Sequence, residues 1–116
     1  IIVLGAGTGG MAGAYEIREL LGKGHQVTVI NEREDFQFVP SNPWIAVRWR
    51  ERPEISFPIR PYLEKKSIEF IASSVTAIEP DKNILRLSKV PGLTVVLPSR
   101  SVRWIIRKPV VTMLIN

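Results

Sequence analysis

The stretch that decides the fold is the N-terminal run Ile1-Ile2-Val3-Leu4-Gly5-Ala6-Gly7-Thr8-Gly9-Gly10. An apolar segment leads directly into a glycine-rich turn, and a helical pattern begins at Met11. Gly5 permits a tight strand-to-helix turn, Gly7 lets a pyrophosphate approach the backbone, and Gly10 lets the helix pack closely on the strand. Unpaired N–H groups at the helix N-terminus would face the phosphates. The stretch therefore predicts a dinucleotide-binding turn.

A second apolar strand supports this prediction. Gln26–Ile30 follows after about one helix length and ends at Asn31 and Glu32. A side chain that contacts a ribose is expected at this place, roughly 20 residues beyond the last glycine. The alternative is a structural role, in which the glycines only allow the helix to pack tightly on the strand.

The rest of the chain continues this alternation of strands and helices. The pattern predicts a helix over 10–21, an irregular stretch over 31–58, a short helix over 60–66, a strand over 68–71, and a hairpin of 75–78 with 84–87. This order is typical of an α/β fold with an open parallel sheet and an antiparallel hairpin excursion. Short β-prone runs follow at 94–97, 102–106 and 110–115.

Composition divides the chain at residue 88. Residues 1–88 hold all 11 acidic residues, balanced by 11 basic ones, whereas residues 89–116 are purely basic, so the net charge of +5 lies wholly in the tail. We therefore predict a nucleotide-binding domain over 1–88 and a basic tail of uncertain origin over 89–116. The 116 residues include no cysteine, which excludes disulfides and thiolate metal sites. Because the chain begins inside a strand, we expect it to be the interior of a longer gene product.

Three blocks carry a family resemblance: Leu4–Met11, Phe36–Trp44 and Phe57–Lys66. Together they resemble the N-terminal part of sulfide:quinone oxidoreductases, which are similar in fold to flavocytochrome c sulfide dehydrogenases and type II NADH dehydrogenases. The resemblance covers residues 1–88. It implies a partial Rossmann-like FAD/NAD(P)-binding fold with FAD as cofactor.

The resemblance also implies roles for particular residues. Asn31 or Glu32 would contact the adenosine ribose, and which of the two does so stays open. The loop from Val39 to Asn42 would run near the pyrophosphate and flavin, and the backbone of Val75 would contact the adenine. The FAD pyrophosphate would lie on the turn, at Gly5, Gly7, Thr8, Gly9 and Gly10.

The chain departs from the family after Ser88. Nothing there matches the family's aromatic strand and Ala-Thr-Gly turn, and the redox cysteines and second domain are missing. Sulfide and quinone are therefore implied as partners of the full-length family only, and we expect no turnover by this chain alone. Family members are peripheral membrane proteins of prokaryotes, but membrane contact would come from their C-terminal part, so this chain is expected to be soluble.

The tail admits two explanations. We predict that residues from about 89 to 116 come from a shifted or misjoined reading frame, because the charge balance and the family pattern change at the same place. If the tail is a genuine extension, Val110–Ile115 is the best candidate to add a strand beside Ile1–Leu4.

Two other functions compete with an oxidoreductase of the sulfide:quinone type. One is the nucleotide-binding part of a type II NADH dehydrogenase-like enzyme, and the other is a non-catalytic module that binds nucleic acid through the basic tail. We expect no nucleic-acid partner and no metal site. The segment from Trp44 to Trp49 is predicted to pack against the domain, the alternative being a surface that faces a quinone or a membrane. Arg48, Arg50 and Arg52 are predicted to form ion pairs with Glu51 and Glu54, the alternative being a phosphate-binding patch.

Overall fold

The computed structural model describes residues 1–88 and, beyond them, the backbone of three strands. Its helices are α1 (Thr8–Leu21), α2 (Asn42–Ala46) and α3 (Arg60–Glu64). Its strands are β1 (Ile2–Leu4), β2 (Thr28–Asn31), β3 (Asp35–Gln37), β4 (Ser56–Pro58), β5 (Glu69–Ala72), β6 (Val75–Glu79), β7 (Ile84–Leu87), β8 (Thr94–Val96), β9 (Val102–Arg107) and β10 (Val110–Ile115).

The main sheet has the strand order β5-β2-β1-β10-β9. Strands β1, β2 and β5 run parallel, with Val3 opposite Val29 and Val29 opposite Phe70. Strand β10 pairs with β1 in the antiparallel direction, with Ile2 opposite Met113. These parallel strands are largely apolar because both of their faces are covered. Their carboxyl ends define one edge of the sheet, where the glycine turn begins.

Alternate side chains of the parallel strands enter two separate cores. On one face, Val3 and Val29 pack with Met11 and Ala14 of α1 and Leu63 of α3. On the other face, Ile2 and Ile30 pack with Leu85 and Leu87 of β7. The sheet is therefore enclosed between the helices and the hairpin. This enclosure fixes the position of the glycine turn, because β1 and α1 are both anchored in the same core.

The hairpin of β6 and β7 has a polar outer side. Glu79 accepts hydrogen bonds from Lys82 Nζ at 3.0 Å and from Arg86 Nε at 2.6 Å. These two cations, Lys82 first, lower the pKa of the Glu79 carboxyl below its ordinary value. Their contribution to stability is small because the group is exposed to solvent.

An arginine closes the C-terminal end of α1. Gly22 follows this helix with φ +60°, and Arg18 donates to the carbonyl oxygens of Gly22, His25 and Ser67 at 2.9, 2.7 and 2.6 Å. A cation there also complements the negative end of the helix dipole. Arg18 thereby joins α1 to the loops that precede β2 and β5.

The structure confirms the α/β fold, the parallel β1-α1-β2 unit and the hairpin. Helix α1 begins at Thr8, two residues before the predicted start. The 110–115 segment does lie beside β1. The proposed origin of the tail in another reading frame stays a prediction, and the residues of 89–116 outside the three strands lie outside the described part of the chain.

The stretch over 31–58 is more ordered than predicted. Strands β3 and β4 pair in the antiparallel direction, with Phe36 opposite Phe57, and their rings stack at 4.9 Å. The Phe57 ring also meets the Tyr62 ring edge-on at 4.9 Å. A strand pair separated by about 20 residues gives no local periodic signal, so propensity alone did not reveal it.

The tryptophan segment is not packed under the domain as predicted. The rings of Trp44 and Trp49 stack on each other at 5.4 Å, and the two residues are 42% and 74% exposed. Within residues 1–88, the expected ion pairs of Arg48, Arg50 and Arg52 with acids are also absent. Glu51 and Glu54 instead form a capping box, in which each carboxylate accepts the backbone N–H of the other residue.

Candidate nucleotide-binding site

Gly5 begins the turn with a backbone conformation that favours glycine. Its φ is +93°, a left-handed value that a side chain would strain. Its N–H donates to the carbonyl oxygen of Ile30 at 2.8 Å, which continues the pairing of β1 with β2. The turn therefore leaves β1 sharply while still attached to the neighbouring strand.

Gly10 is the point of closest approach between α1 and the turn. A Cβ built on Gly10 would lie 2.0 Å from the carbonyl oxygen of Gly5 and 3.8 Å from Val3 Cγ1. The first of these distances is far inside van der Waals contact with a backbone atom. Any side chain at Gly10 would push the helix away from the strand.

Gly7 occupies the N-cap position of α1, and the space beside it is open. A Cβ built there meets no atom within 4 Å. The N-cap makes no side-chain hydrogen bond, and the first turn of the helix contains no acidic residue. Gly7, Thr8 and Gly9 are exposed, whereas Gly10 is buried. The helix therefore presents uncapped N–H groups and no competing negative charge, which suits an anionic ligand.

Asn31 connects the end of β2 to the turn. Its Oδ1 accepts the backbone N–H of Ala6 at 3.0 Å, and its Nδ2 donates to the carbonyl oxygen of Arg33 at 2.8 Å. Its own carbonyl oxygen accepts the N–H of Ser73 at 2.9 Å. Both polar atoms of the side chain are thus engaged within the protein.

Glu32 follows on the exposed side of the same edge. Its side chain lies in the wall of a cleft of about 640 Å³, together with charged and polar residues of the β2–β3 loop, β3, β4 and the turn before β4: Arg33, Glu34, Asp35, Gln37, Arg52 and Ser56. Arg52 and Ser56 were not among the candidate residues. The pairing of β3 with β4 brings them there, and no sequence motif marks it.

The other candidate residues lie around this edge at different places. Val75 begins the hairpin and packs on the core cluster that contains Ile2 and Ile30, beneath the end of β2. Val39 is 61% exposed in the turn before α2. Asn42 begins α2 and accepts a hydrogen bond from Gln37 Nε2 at 2.9 Å. The structure thus joins the turn and Asn31 by a direct hydrogen bond and packs Val75 against the cluster of Ile2 and Ile30.

The described part of the chain has neither a cluster of metal ligands nor a membrane-spanning helix. Within residues 1–88, no three His, Asp or Glu side chains are arranged so that they could hold a metal ion. No helix there is both long and apolar enough to cross a bilayer.

A sequence comparison with curated proteins finds a sulfide-quinone reductase. The chain is 41% identical over 83 residues to the sulfide-quinone reductase of Aquifex aeolicus (strain VF5), an alignment covering 72% of this chain and 19% of that protein. No protein-family model matches the chain.

Solved structures agree with the sequence match. The X-ray structure of sulfide:quinone oxidoreductase from the hyperthermophilic bacterium Aquifex aeolicus superposes with a TM-score of 0.76 at 36% identity, over 84% of this chain and 22% of that one. NADH:rubredoxin oxidoreductase from Clostridium acetobutylicum superposes with a TM-score of 0.56 at 26% identity, over 74% and 22%. The chain thus spans about a fifth of the length of these relatives. In sequence and in fold, this chain is therefore similar to a part of sulfide:quinone oxidoreductase, a member of the pyridine nucleotide-disulfide oxidoreductase family.

Proposed function

We propose that this chain is the FAD-binding fragment of a flavin-dependent oxidoreductase and that it holds the ADP part of FAD. The observation that carries the proposal is the turn between β1 and α1. It combines a close approach at Gly10 with open space and uncapped N–H groups at Gly7. This combination is the one that a pyrophosphate requires at the start of a helix.

The residues present fit FAD at this end of the sheet. Backbone N–H groups of the exposed Gly7–Gly9 segment would bind the pyrophosphate, and the missing side chain at Gly7 leaves room for it. The Val75 backbone would contact the adenine, and the segment from Val39 to Asn42 would extend toward the flavin. FAD, when bound, supplies the redox chemistry, and the chain's own residues bind and orient it.

For the longer protein we propose oxidation of sulfide coupled to reduction of a quinone. The support is the 41% identity to a sulfide-quinone reductase. The chain contains no cysteine, so the thiolates that would accept sulfide sulfur must come from residues outside it. Oxidation of NADH is the second candidate, supported by the superposition with an NADH:rubredoxin oxidoreductase.

The proposal is tested by titrating the 116-residue chain with three ligands in a calorimeter. FAD and ADP should both bind and should compete, because the contacts lie on the ADP part of the cofactor. FMN, which has a flavin but no ADP, should not bind measurably. Binding of FMN with the affinity of FAD, or no binding of FAD and ADP, would contradict the proposed site.

Glu32, and not Asn31, is the residue we propose for the ribose, because Glu32 lines the open cleft at the end of β2, whereas the Asn31 amide bonds to Ala6 and Arg33. Glu32→Ala removes the acceptor and should weaken ADP roughly tenfold, the effect of losing a hydrogen bond to a charged group. It should also abolish the preference for ADP over 2′-deoxy-ADP. Glu34→Ala, in the same cleft, is the control that keeps this preference. A Glu32→Ala chain that still prefers ADP would show that another group contacts the ribose.

A further inference from the structure

The Asn31 side chain adds one hydrogen bond between the ends of β1 and β2, beyond the last backbone hydrogen bond of the pair. The last backbone bond joins Gly5 N–H to the carbonyl oxygen of Ile30 at 2.8 Å. The next N–H along the turn, that of Ala6, finds the Asn31 side-chain oxygen at 3.0 Å instead of a backbone carbonyl. Two consecutive N–H groups of the turn are thus held by two consecutive residues of β2.

The side chain that makes this bond is itself fixed. Asn31 Nδ2 donates to the carbonyl oxygen of Arg33 at 2.8 Å, which orients the amide so that its oxygen faces Ala6. The Asn31 carbonyl oxygen accepts the N–H of Ser73, the residue that follows β5. Asn31 therefore bonds to the segments that follow all three parallel strands, β1, β2 and β5.

The chemistry of the amide also matters for an anionic ligand. A carboxylate at position 31 could accept the Ala6 N–H, but it could not donate to the Arg33 carbonyl. It would also set a full negative charge beside the turn, one residue before the N-cap of α1. The amide supplies the same hydrogen bond with no net charge.

We propose that Asn31 is a neutral positioning residue for the phosphate turn: it holds the Ala6 N–H, sets the turn at the start of α1, and keeps negative charge away from the diphosphate. This inference rests on the proposed nucleotide site. It gives the residue that ends β2 a role separate from ribose contact. It also explains why an amide, Asn31, is followed by an acid, Glu32. Asn31 positions the turn, and Glu32 is the residue proposed to contact the ribose.

The first test needs no ligand. Asn31→Ala removes the acceptor of the Ala6 N–H, so the Ala6 amide should exchange with solvent at least roughly tenfold faster in an NMR measurement of the 116-residue chain. The Gly5 amide, bonded to the Ile30 backbone, should keep most of its protection. An unchanged Ala6 exchange rate would overturn the assignment, whatever the chain binds.

The second test uses Asn31→Asp, which is nearly isosteric. ADP and inorganic pyrophosphate should each bind roughly tenfold more weakly, a difference of about 1.4 kcal/mol, while adenosine, which has no phosphate, should bind as before. Asn83→Asp is the control, because it adds the same charge in the hairpin turn, where φ of +55° suits either residue. It should leave the affinities for ADP, pyrophosphate and adenosine unchanged.

The outcomes separate the two proposals. Equal weakening of adenosine, ADP and pyrophosphate by Asn31→Asp would indicate general disruption and would overturn the positioning role. If the unaltered chain binds neither ADP nor pyrophosphate, the proposed nucleotide site fails and the charge argument falls with it. The exchange rate of the Ala6 amide would still show whether the Asn31 side chain holds the Ala6 N–H.

Discussion

Gly10→Ala is expected to destabilise the chain by about 3 kcal/mol, the upper part of the range for overpacking a rigid site. The added Cβ would lie 2.0 Å from the carbonyl oxygen of Gly5, a backbone atom that cannot rotate away. Relief requires α1 to move off β1, which would open the core formed by Val3, Met11 and Ala14. Urea unfolding followed by circular dichroism measures the change in the free energy of unfolding.

Gly13→Ala is the matched control in the same helix. A Cβ on Gly13 meets no atom within 4 Å, so the substitution adds helix propensity without a clash. It should stabilise the chain by up to about 1 kcal/mol. The same substitution three residues apart is therefore expected to change stability in opposite directions. Equal effects at Gly10 and Gly13 would mean that α1 does not approach the turn as closely as the structure shows.

Gly7→Val is expected to weaken FAD and ADP binding roughly a hundredfold or more, a loss of about 2.8 kcal/mol, while the chain stays folded. Gly7 has φ of −74° and ψ of −175°, which valine adopts without strain, and its Cβ would point into open space. In the proposed complex that space holds the pyrophosphate, so the side chain would exclude the ligand. Calorimetric titration gives the affinity, and urea unfolding shows that the fold is retained.

Gly24→Val is the control for this experiment. Gly24 also has open space at its Cβ position, but it lies after α1, at the opposite end of that helix from the turn. The variant should bind FAD and ADP as the unaltered chain does. If Gly7→Val and Gly24→Val have equal affinities, the pyrophosphate does not lie on this turn.

Local sequence determined the central unit of this protein. The glycine pattern after an apolar strand predicted the β1 turn and α1, because the φ of Gly5 and the close approach at Gly10 exclude most side chains. The apolar segment before Asn31 predicted β2, and the alternation around Pro80 predicted the hairpin of β6 and β7. Each signal lies within one element or one tight turn, where the period of the side chains reveals the conformation.

Only the tertiary structure shows the contacts between residues that lie far apart in the sequence. The sequence left Asn31 and Glu32 as equal candidates for the ribose, and only the hydrogen bond to Ala6, 25 residues away, shows the Asn31 amide engaged within the protein. The pairing of β3 with β4 likewise brings Arg52 and Glu32 into the wall of one cleft. Such contacts depend on how the strands assemble and not on local periodicity. The sequence alone therefore predicted the glycine turn between β1 and α1, and the packed sheet decided which side chains lie around it.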